Sequence, residues 1–374
     1  MIPTDNEYSR GIIQGIVRYI SIIKPWLLSH WAADCKPASP FDTNVPEAFI
    51  ATIDTPQQAE YLSSLDLPCI NVSSALSAAP FSSVIADDVG AGELAATHFL
   101  QRGLKHFAFI GIAGRNDSNL RRAGYVDRLT KEGVRQVNTH EIAGDVSDDS
   151  NLNKWVSSLR KPCGIFAMDD NLGRRVVDAT RALSGPTSRD FAVLGCGNDP
   201  IICGLALPRL TSVSLPGERV GYDAAALLDR LLNGEQFPIQ QTLLPVSSVV
   251  PRSSTDIVSI DDPDVAAAMR FILAHAGEWI GVPELLLAVP VQRRTLERKF
   301  RHVLGRSPLE EIRRVRLETA QELLANTDLP MPIVARRSGF SQAKQLSLVF
   351  RSVLNTTPTE YRARFRIETT QPPA

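Results

Sequence analysis

Two regimes of apolar patterning divide the chain. Up to about residue 255, short and nearly continuous apolar runs alternate with helical stretches; HFAFIGI (residues 106–112), CGIFAM (163–168) and FAVLGC (191–196) are each followed by polar turn residues. Runs without alternation belong to strands buried on both faces, so this half is expected to be α/β, a doubly wound parallel sheet between helical layers. Ligands in such folds sit at the carboxyl ends of the strands, so the polar residues just after each run carry the interest. Further on the spacing becomes helical, with Leu296, Phe300, Val303 and Leu304 at i, i+4, i+7 and i+8, which predicts one buried face. The polar, aperiodic stretch PRSSTDIVSIDDPD (residues 251–264) marks the boundary. The division read from this is residues 1–255, a linker at 256–264 and an all-α unit at 265–374.

The helical unit repeats itself. Leu346, Phe350, Val353 and Leu354 duplicate the first apolar set fifty residues later, and Gly305 and Pro308 return as Asn355 and Pro358. Gly305 and Asn355 supply the left-handed residue that ends a helix, while Ser307-Pro308 and Thr357-Pro358 each cap and start the next one. A shorter helix precedes each copy, within VPELLLAVP (282–290) and PMPIVARRSGF (330–340), with Gly339 as the second turn. Two helices joined by a tight turn, the second basic on its open face, describe a helix-turn-helix, here present twice. The intervening helix, residues 308–324, would be ~25 Å long and could hold two reading helices about one DNA turn, ~34 Å, apart.

Charge sharpens the division. Residues 263–366 hold 17 Lys and Arg against 10 Asp and Glu, leaving 23 against 31 elsewhere, so a basic end is joined to an acidic body. A polyanion partner, double-stranded DNA, is expected for the basic end alone. The N-terminal apolar stretch is broken by Arg10, Arg18 and Lys24, which argues against a membrane span and a signal peptide. Five scattered cysteines without a CxxC pair fit buried fillers in a reducing cytoplasm. No HExxH or other metal spacing is present, and no metal or cofactor is expected. An α/β enzyme fused to a DNA-binding module is the competing reading; nucleophile elbow, phosphate loop and GxGxxG after a strand are all missing from the sequence, and GCGNDP matches a dinucleotide loop poorly.

The C-terminal hundred residues resemble the DNA-binding domain of the AraC family, whose signature is matched by Gly339, Phe340, Ser341, Phe350, Pro358, Tyr361 and Arg362. The resemblance implies base contacts from the open faces of both reading helices: Arg293, Arg294, Glu297 and Arg298 on the first, Gln342, Lys344 and Gln345 on the second. Arginine pairs with guanine in bidentate fashion and glutamate accepts from cytosine. Leu348 stands where the family commonly has arginine, which implies more phosphate or shape recognition by the second helix. Arg313, Arg314, Arg316, Arg362, Arg364 and Arg366 are candidates for phosphate contacts.

The acidic body is similar to the LacI-type effector domain, a relative of periplasmic sugar-binding proteins, through VIADDVGAGELAATHFLQRGLKHFAFIG, LRRAGYVDRL, FAMDDNLG, FAVLGCGND and PRLTSVSLPGERVGYDAAALLDRLL. The likeness implies two lobes, a sugar effector such as xylose, control of a sugar-utilisation operon, a homodimer and contact with RNA polymerase. Each desolvated sugar hydroxyl needs a partner. By position those partners are Tyr8, Arg10, Asp87, Asp88, Arg121, Asp169 and Asn198, with Asp170 expected to cap the helix that follows. The sequence departs from the family twice. It opens close to the first helix, implying a stunted first strand or a start set too late, and it has Gly197 where relatives carry a sugar-binding aspartate, with Asn198 and Asp199 as nearest substitutes.

Overall fold

The computed structural model describes residues 1–23, 25–29, 46–143, 149–184, 190–246, 248–255 and 262–365. The acidic body comprises, in order, α1 (Glu7–Ile22), β1 (Phe49–Ala51), α2 (Pro56–Ser64), β2 (Cys69–Asn71), β3 (Ser83–Ala86), α3 (Asp88–Gln101), β4 (His106–Ile112), α4 (Asn116–Lys131), β5 (Asn138–Ile142) and α5 (Asp149–Ser158). It continues with β6 (Cys163–Ala167), α6 (Asp170–Ser184), β7 (Phe191–Cys196), α7 (Pro200–Leu205), β8 (Thr211–Ser214), α8 (Gly217–Leu232), β9 (Gln241–Leu244) and β10 (Ser248–Val250). The C-terminal unit is helical: α9 (Pro263–Ala274), α10 (Val282–Ala288), α11 (Arg293–Leu304), α12 (Pro308–Asn326), α13 (Met331–Arg337), α14 (Ala343–Leu354) and α15 (Pro358–Phe365).

Two sheets make two lobes. The smaller has the order β1-β2-β3-β9 with every described pairing parallel; the larger has β10-β8-β7-β6-β4-β5, parallel except for β10. All three apolar runs noted in the sequence become central strands of the larger sheet, and Phe109, Ile110, Phe166 and Leu194 are essentially inaccessible. The Met1 amino group donates to Ile50 O at 2.9 Å and Thr52 N–H to Met1 O at 3.0 Å, so the first residues flank β1. Ile12 and Ile16 of α1 and Val220, Ala224 and Leu228 of α8 fill the smaller core. The chain changes lobes after β3, after β8 and after β9, so three crossings join the lobes.

Residues 251–255, the first part of the polar boundary stretch, belong to the larger lobe. A 3-10 turn at Ser253–Thr255 buries Thr255, whose hydroxyl meets Thr211 Oγ1 at 2.8 Å and His98 Nε2 at 2.9 Å. Residues 256–261 lie outside the described residues, and α9 begins behind an Asp262 cap that accepts from Asp264 and Val265 N–H.

Both helix-turn-helix copies form as their spacing predicts. Gly305 (φ 69°) and Asn355 (φ 52°) are left-handed, and Ser307 and Thr357 cap α12 and α15 with reciprocal bonds to Glu310 and Glu360. Gly339 (φ 74°) makes the second turn; a Cβ there would lie 2.6 Å from Glu278 O, so position and space both require glycine. Leu296 and Phe300 anchor one core, Leu346 and Phe350 the other, and α12 runs between them. Val303 and Val353 depart from expectation at 38% and 59% exposure: the buried stripe is i, i+4, i+8, and i+7 falls beyond its edge. The helical unit also rests on both lobes. Val315 and Glu318 of α12 face α3 and β10 across a cavity, and Arg219 of α8 donates to Ala363 O of α15 at 3.3 Å. Among the described residues no helix is long and apolar enough to cross a membrane.

Candidate functional sites: an interlobe cleft and two reading helices

A cleft of about 300 Å³ opens between the lobes at the carboxyl ends of their strands. The floor is built by helix crossing. Gly92 of α3 lies against Arg121 O of α4 and Gly124 of α4 against Val89 O, each so close that a Cβ would stand about 2 Å from the carbonyl. That contact brings the start of α3 to the start of α4, and Arg121 Nε meets Asp88 Oδ1 at 2.7 Å while Arg121 Nη1 holds Met168 O. Asp88 also accepts from Ser74 Oγ. Burial pushes the Asp88 carboxyl above its ordinary range despite Arg121 and Ser74. Burial likewise raises the Tyr8 hydroxyl, and Asp88 adds to it.

On the opposite side Arg115 forks onto Asp117 at 3.0 and 2.7 Å and reaches Asp54 of the smaller lobe at 4.0 Å. Burial works against the Asp117 charge, yet the Arg115 fork and the field of Arg121 outweigh it and leave the carboxyl below its usual range. Ser73 Oγ donates to Asp54 within the smaller lobe, while Asn116 Nδ2 of the larger lobe donates to Ser74 O at 2.9 Å and ties the two lobes across the cleft. Guanidiniums that donate stand beside carboxylates that accept, with Arg121, Asp88 and Asp117 buried and Arg115 and Asp54 half-buried. A ring with several hydroxyls, each needing one partner of each kind, suits such walls.

Of the residues proposed from sequence, Tyr8, Asp88, Arg121 and Asp169 line this cleft together. The other three do not line it. Asp87 caps α3 by accepting from Gly90 N–H. Arg10 bonds Asp199 at 2.6 Å and Glu7 at 3.0 Å, closing one end of the cleft from outside. Asn198 is left-handed and accepts from Arg252 Nη2 at 2.7 Å, on the far side of the loop. Asp169 lines the cleft as expected and also supplies the cap that was expected of Asp170. Asp169 caps α6 through Leu172 N–H at 2.7 Å, whereas Asp170 is buried beneath the cleft and accepts from Asp199 N–H at 2.7 Å and Ser212 Oγ at 2.5 Å. Burial pushes Asp170 up to about 6 in spite of those bonds. Gly197 has φ 124°, where the aspartate expected from the family resemblance would be strained, and a Cβ there would lie 3.2 Å from Asp170 Oδ2. Asp199 does line the cleft, but its carboxylate is taken by Arg10 and by the first N–H groups of α7. Sequence reading missed Asp54, Ser73, Ser74, Arg115 and Asp117, all in the cleft wall.

The second site is the open face of the helical pair. Arg293, Arg294 and Arg298 are exposed on α11, with Arg293 Nε on Glu297 at 2.9 Å; Gln342, Lys344 and Gln345 are exposed at the start of α14. The proposed phosphate contacts on α12 reduce to Arg313. Arg316 is buried with its Nη2 on Ile280 O, and Arg314 binds Glu311 and Glu318. Arg362 donates to Leu329 O at 2.6 Å, a contact within the second core; the Arg364 side chain and Arg366 lie outside the described residues.

Comparison with known proteins bears on both units. A periplasmic binding protein-like domain matches residues 96–255 and a helix-turn-helix domain of AraC type matches residues 287–364. The xylose operon regulatory protein of Escherichia coli K12 is 28% identical over 91% of this chain and 90% of its own length; that of Haemophilus influenzae is 27% identical over 91% of both. This chain is an AraC-type transcription regulator with a periplasmic-binding-protein-like domain. A solved structure described as a xylose-binding transcription activator is 26% identical, covers 97% of the regulator and 96% of its own chain, and superposes with a TM-score of 0.59. A ribose-bound LacI-family regulator from Enterococcus faecium, 19% identical with a TM-score of 0.55 and covering 68% of this chain, shares the fold of the two lobes. The relatives are regulators, which removes the enzyme reading. Among the described residues no cluster of His, Cys, Asp and Glu could hold a metal ion.

Proposed function

We propose that the regulator senses a small sugar, a pentose such as xylose, between its lobes and controls a sugar-utilisation operon in the cytoplasm. The observation that carries this is the ion-paired set Asp88, Arg121, Arg115 and Asp117, all but Arg115 buried, around one 300 Å³ cleft, a space of monosaccharide size with paired donors and acceptors. The names of the full-length relatives point to the same ligand class. Sugar binds the closed lobes better and so shifts that population. Because α12 rests on the larger lobe and α15 on the smaller, a change in lobe angle re-poses the reading helices. Tyr8, Asp88, Arg121 and Asp169 are the proposed ligand contacts; Arg293, Arg294, Glu297, Arg298, Gln342, Lys344 and Gln345 are the proposed DNA contacts. Domain limits of 1–255, 256–264 and 265–374, a homodimer formed through the acidic body, and contact with RNA polymerase at an activated promoter complete the reading.

Thermal unfolding with D-xylose, L-arabinose, D-ribose and D-glucose, alongside binding to the chain's own upstream DNA, tests it. A ligand present at a hundred times its Kd adds about 2.7 kcal/mol and raises the Tm by several degrees. If no sugar moves either the Tm or the DNA affinity, the sugar-sensing half of the proposal is wrong.

A further inference from the structure

A larger cavity, about 590 Å³, lies where the helical unit meets the larger lobe, and it shares no lining residue with the cleft. One wall comes from α3, β10 and the residues after it, the other from α9 and α12. Its charge is unbalanced. Arg102, Arg252 and Arg270 line it against one carboxylate, Glu318, which already accepts from Arg314. Arg252 uses its amino groups on the neutral acceptors Leu210 O at 2.9 Å and Asn198 Oδ1 at 2.7 Å. Arg270 is exposed on α9 and makes no hydrogen bond or ion pair among the described residues. Within the wall the Ser248 hydroxyl is 8% exposed and has no partner among the described residues. A buried hydroxyl without a partner loses its hydration uncompensated unless something fills the need. The same positive field shows at His98, whose imidazole is held neutral by burial first and then by the guanidiniums of Arg102 and Arg314. The remaining surface is largely apolar, with Leu94, Val249, Leu273 and Val315 facing the space.

We propose that this interdomain cavity is a second ligand site, for a small organic anion with an acid group on an apolar body, and that its occupant fastens the DNA-binding unit to the larger lobe. The acid group meets Arg270 and Arg252, the body lies on the apolar wall, and Ser248 finds its partner. Since both units contribute walls, an occupant binds only the docked arrangement and is coupled to DNA affinity by linkage. This signal is additional to the sugar in the cleft.

The full chain is titrated with the fluorescent sulfonate 8-anilinonaphthalene-1-sulfonate and with its uncharged analogue N-phenyl-1-naphthylamine. Saturable fluorescence enhancement by the sulfonate at one site per chain is expected, with at least tenfold weaker binding of the uncharged analogue. Arg270→Glu, at an exposed position that leaves the fold intact, weakens the sulfonate at least tenfold, and Thr97→Trp, which fills the cavity, removes the saturable phase. Asp117→Asn, in the cleft, leaves it unchanged. DNA affinity shifts at least threefold when the sulfonate saturates wild type and not when Thr97→Trp is present. Equal binding of the two probes overturns the anion class; titrations of Arg270→Glu and Thr97→Trp that coincide with wild type overturn the site itself.

Discussion

Asp170 is 4% exposed, and its two oxygens hold the loop after β7 through Asp199 N–H and Ser212 Oγ. Its carboxyl lies at about 6 in the folded chain, above the ~3.9 of an unfolded one, so the native state holds the proton more tightly. The stabilisation this brings is complete below about pH 4 and is lost as pH rises through about 6, on the order of 2–3 kcal/mol in all. Urea titrations of wild type and Asp170→Asn between pH 4 and 7.5 should show the downward slope in the first and a flatter curve in the second; parallel curves would mean that Asp170 is charged throughout. On α14, Leu348 is 59% exposed at the place that Arg298 occupies on α11, fifty residues earlier. An apolar side chain on a reading face meets the thymine methyl, where arginine meets guanine. Substituting deoxyuridine for thymine one base at a time in the bound site should therefore weaken wild type at a single position by about 1 kcal/mol and leave Leu348→Ala indifferent there. Residue roles in the cleft were only partly legible in the sequence. Arg115 and Asp117 were missed although they stand within five residues of the run His106–Ile112, where the rule that ligands sit after the strands would have found them. Asp54, Ser73 and Ser74 follow strands of three residues, too short to register as periodic, and two adjacent aspartates at the head of α6 gave no local signal as to which would cap it.

At the level of elements, the crossing of α3 and α4 places the strongest pair of the cleft. Gly92 and Gly124 let the backbones meet, and Asp88 and Arg121 stand one turn away from that contact. Gly124→Ala inserts a methyl about 2 Å from Val89 O, and overpacking of that kind costs about 1–3 kcal/mol. The expected result is a Tm lowered by several degrees and a sugar response weakened more than DNA binding; equal losses in both would show a general loss of fold instead. Strands and reading helices were legible because burial on two faces or on one leaves distinct periods. Val303 and Val353 were misplaced since periodicity gives the direction of a buried face and not its width. The association of the two units was hidden for another reason. Arg219 and Ala363 are 144 residues apart, and a single hydrogen bond between them leaves no mark on local spacing.

Across the whole molecule, two readable ends share one helix, and that helix leans on the body. α12 has 19 residues, so it is ~28 Å long, near the ~34 Å pitch of DNA, and its capped ends hold the two cores at fixed separation. A fragment starting at Asp262 contains both of those cores entire. It should bind the same DNA with log K falling linearly against log salt, yet show no response to sugar. In the full chain Arg219→Ala should narrow the ratio of DNA affinities with and without sugar by about two- to fivefold, because the contact of the smaller lobe with α15 is gone. A fragment that still answers to sugar would place the sensor elsewhere. Unequal reading faces also give the molecule a heading. With arginines leading on α11 and Lys344 and Leu348 on α14, turning its site end for end along a promoter would aim the sensing lobes at the opposite neighbour, so the order of the two half-sites decides which way the message is sent.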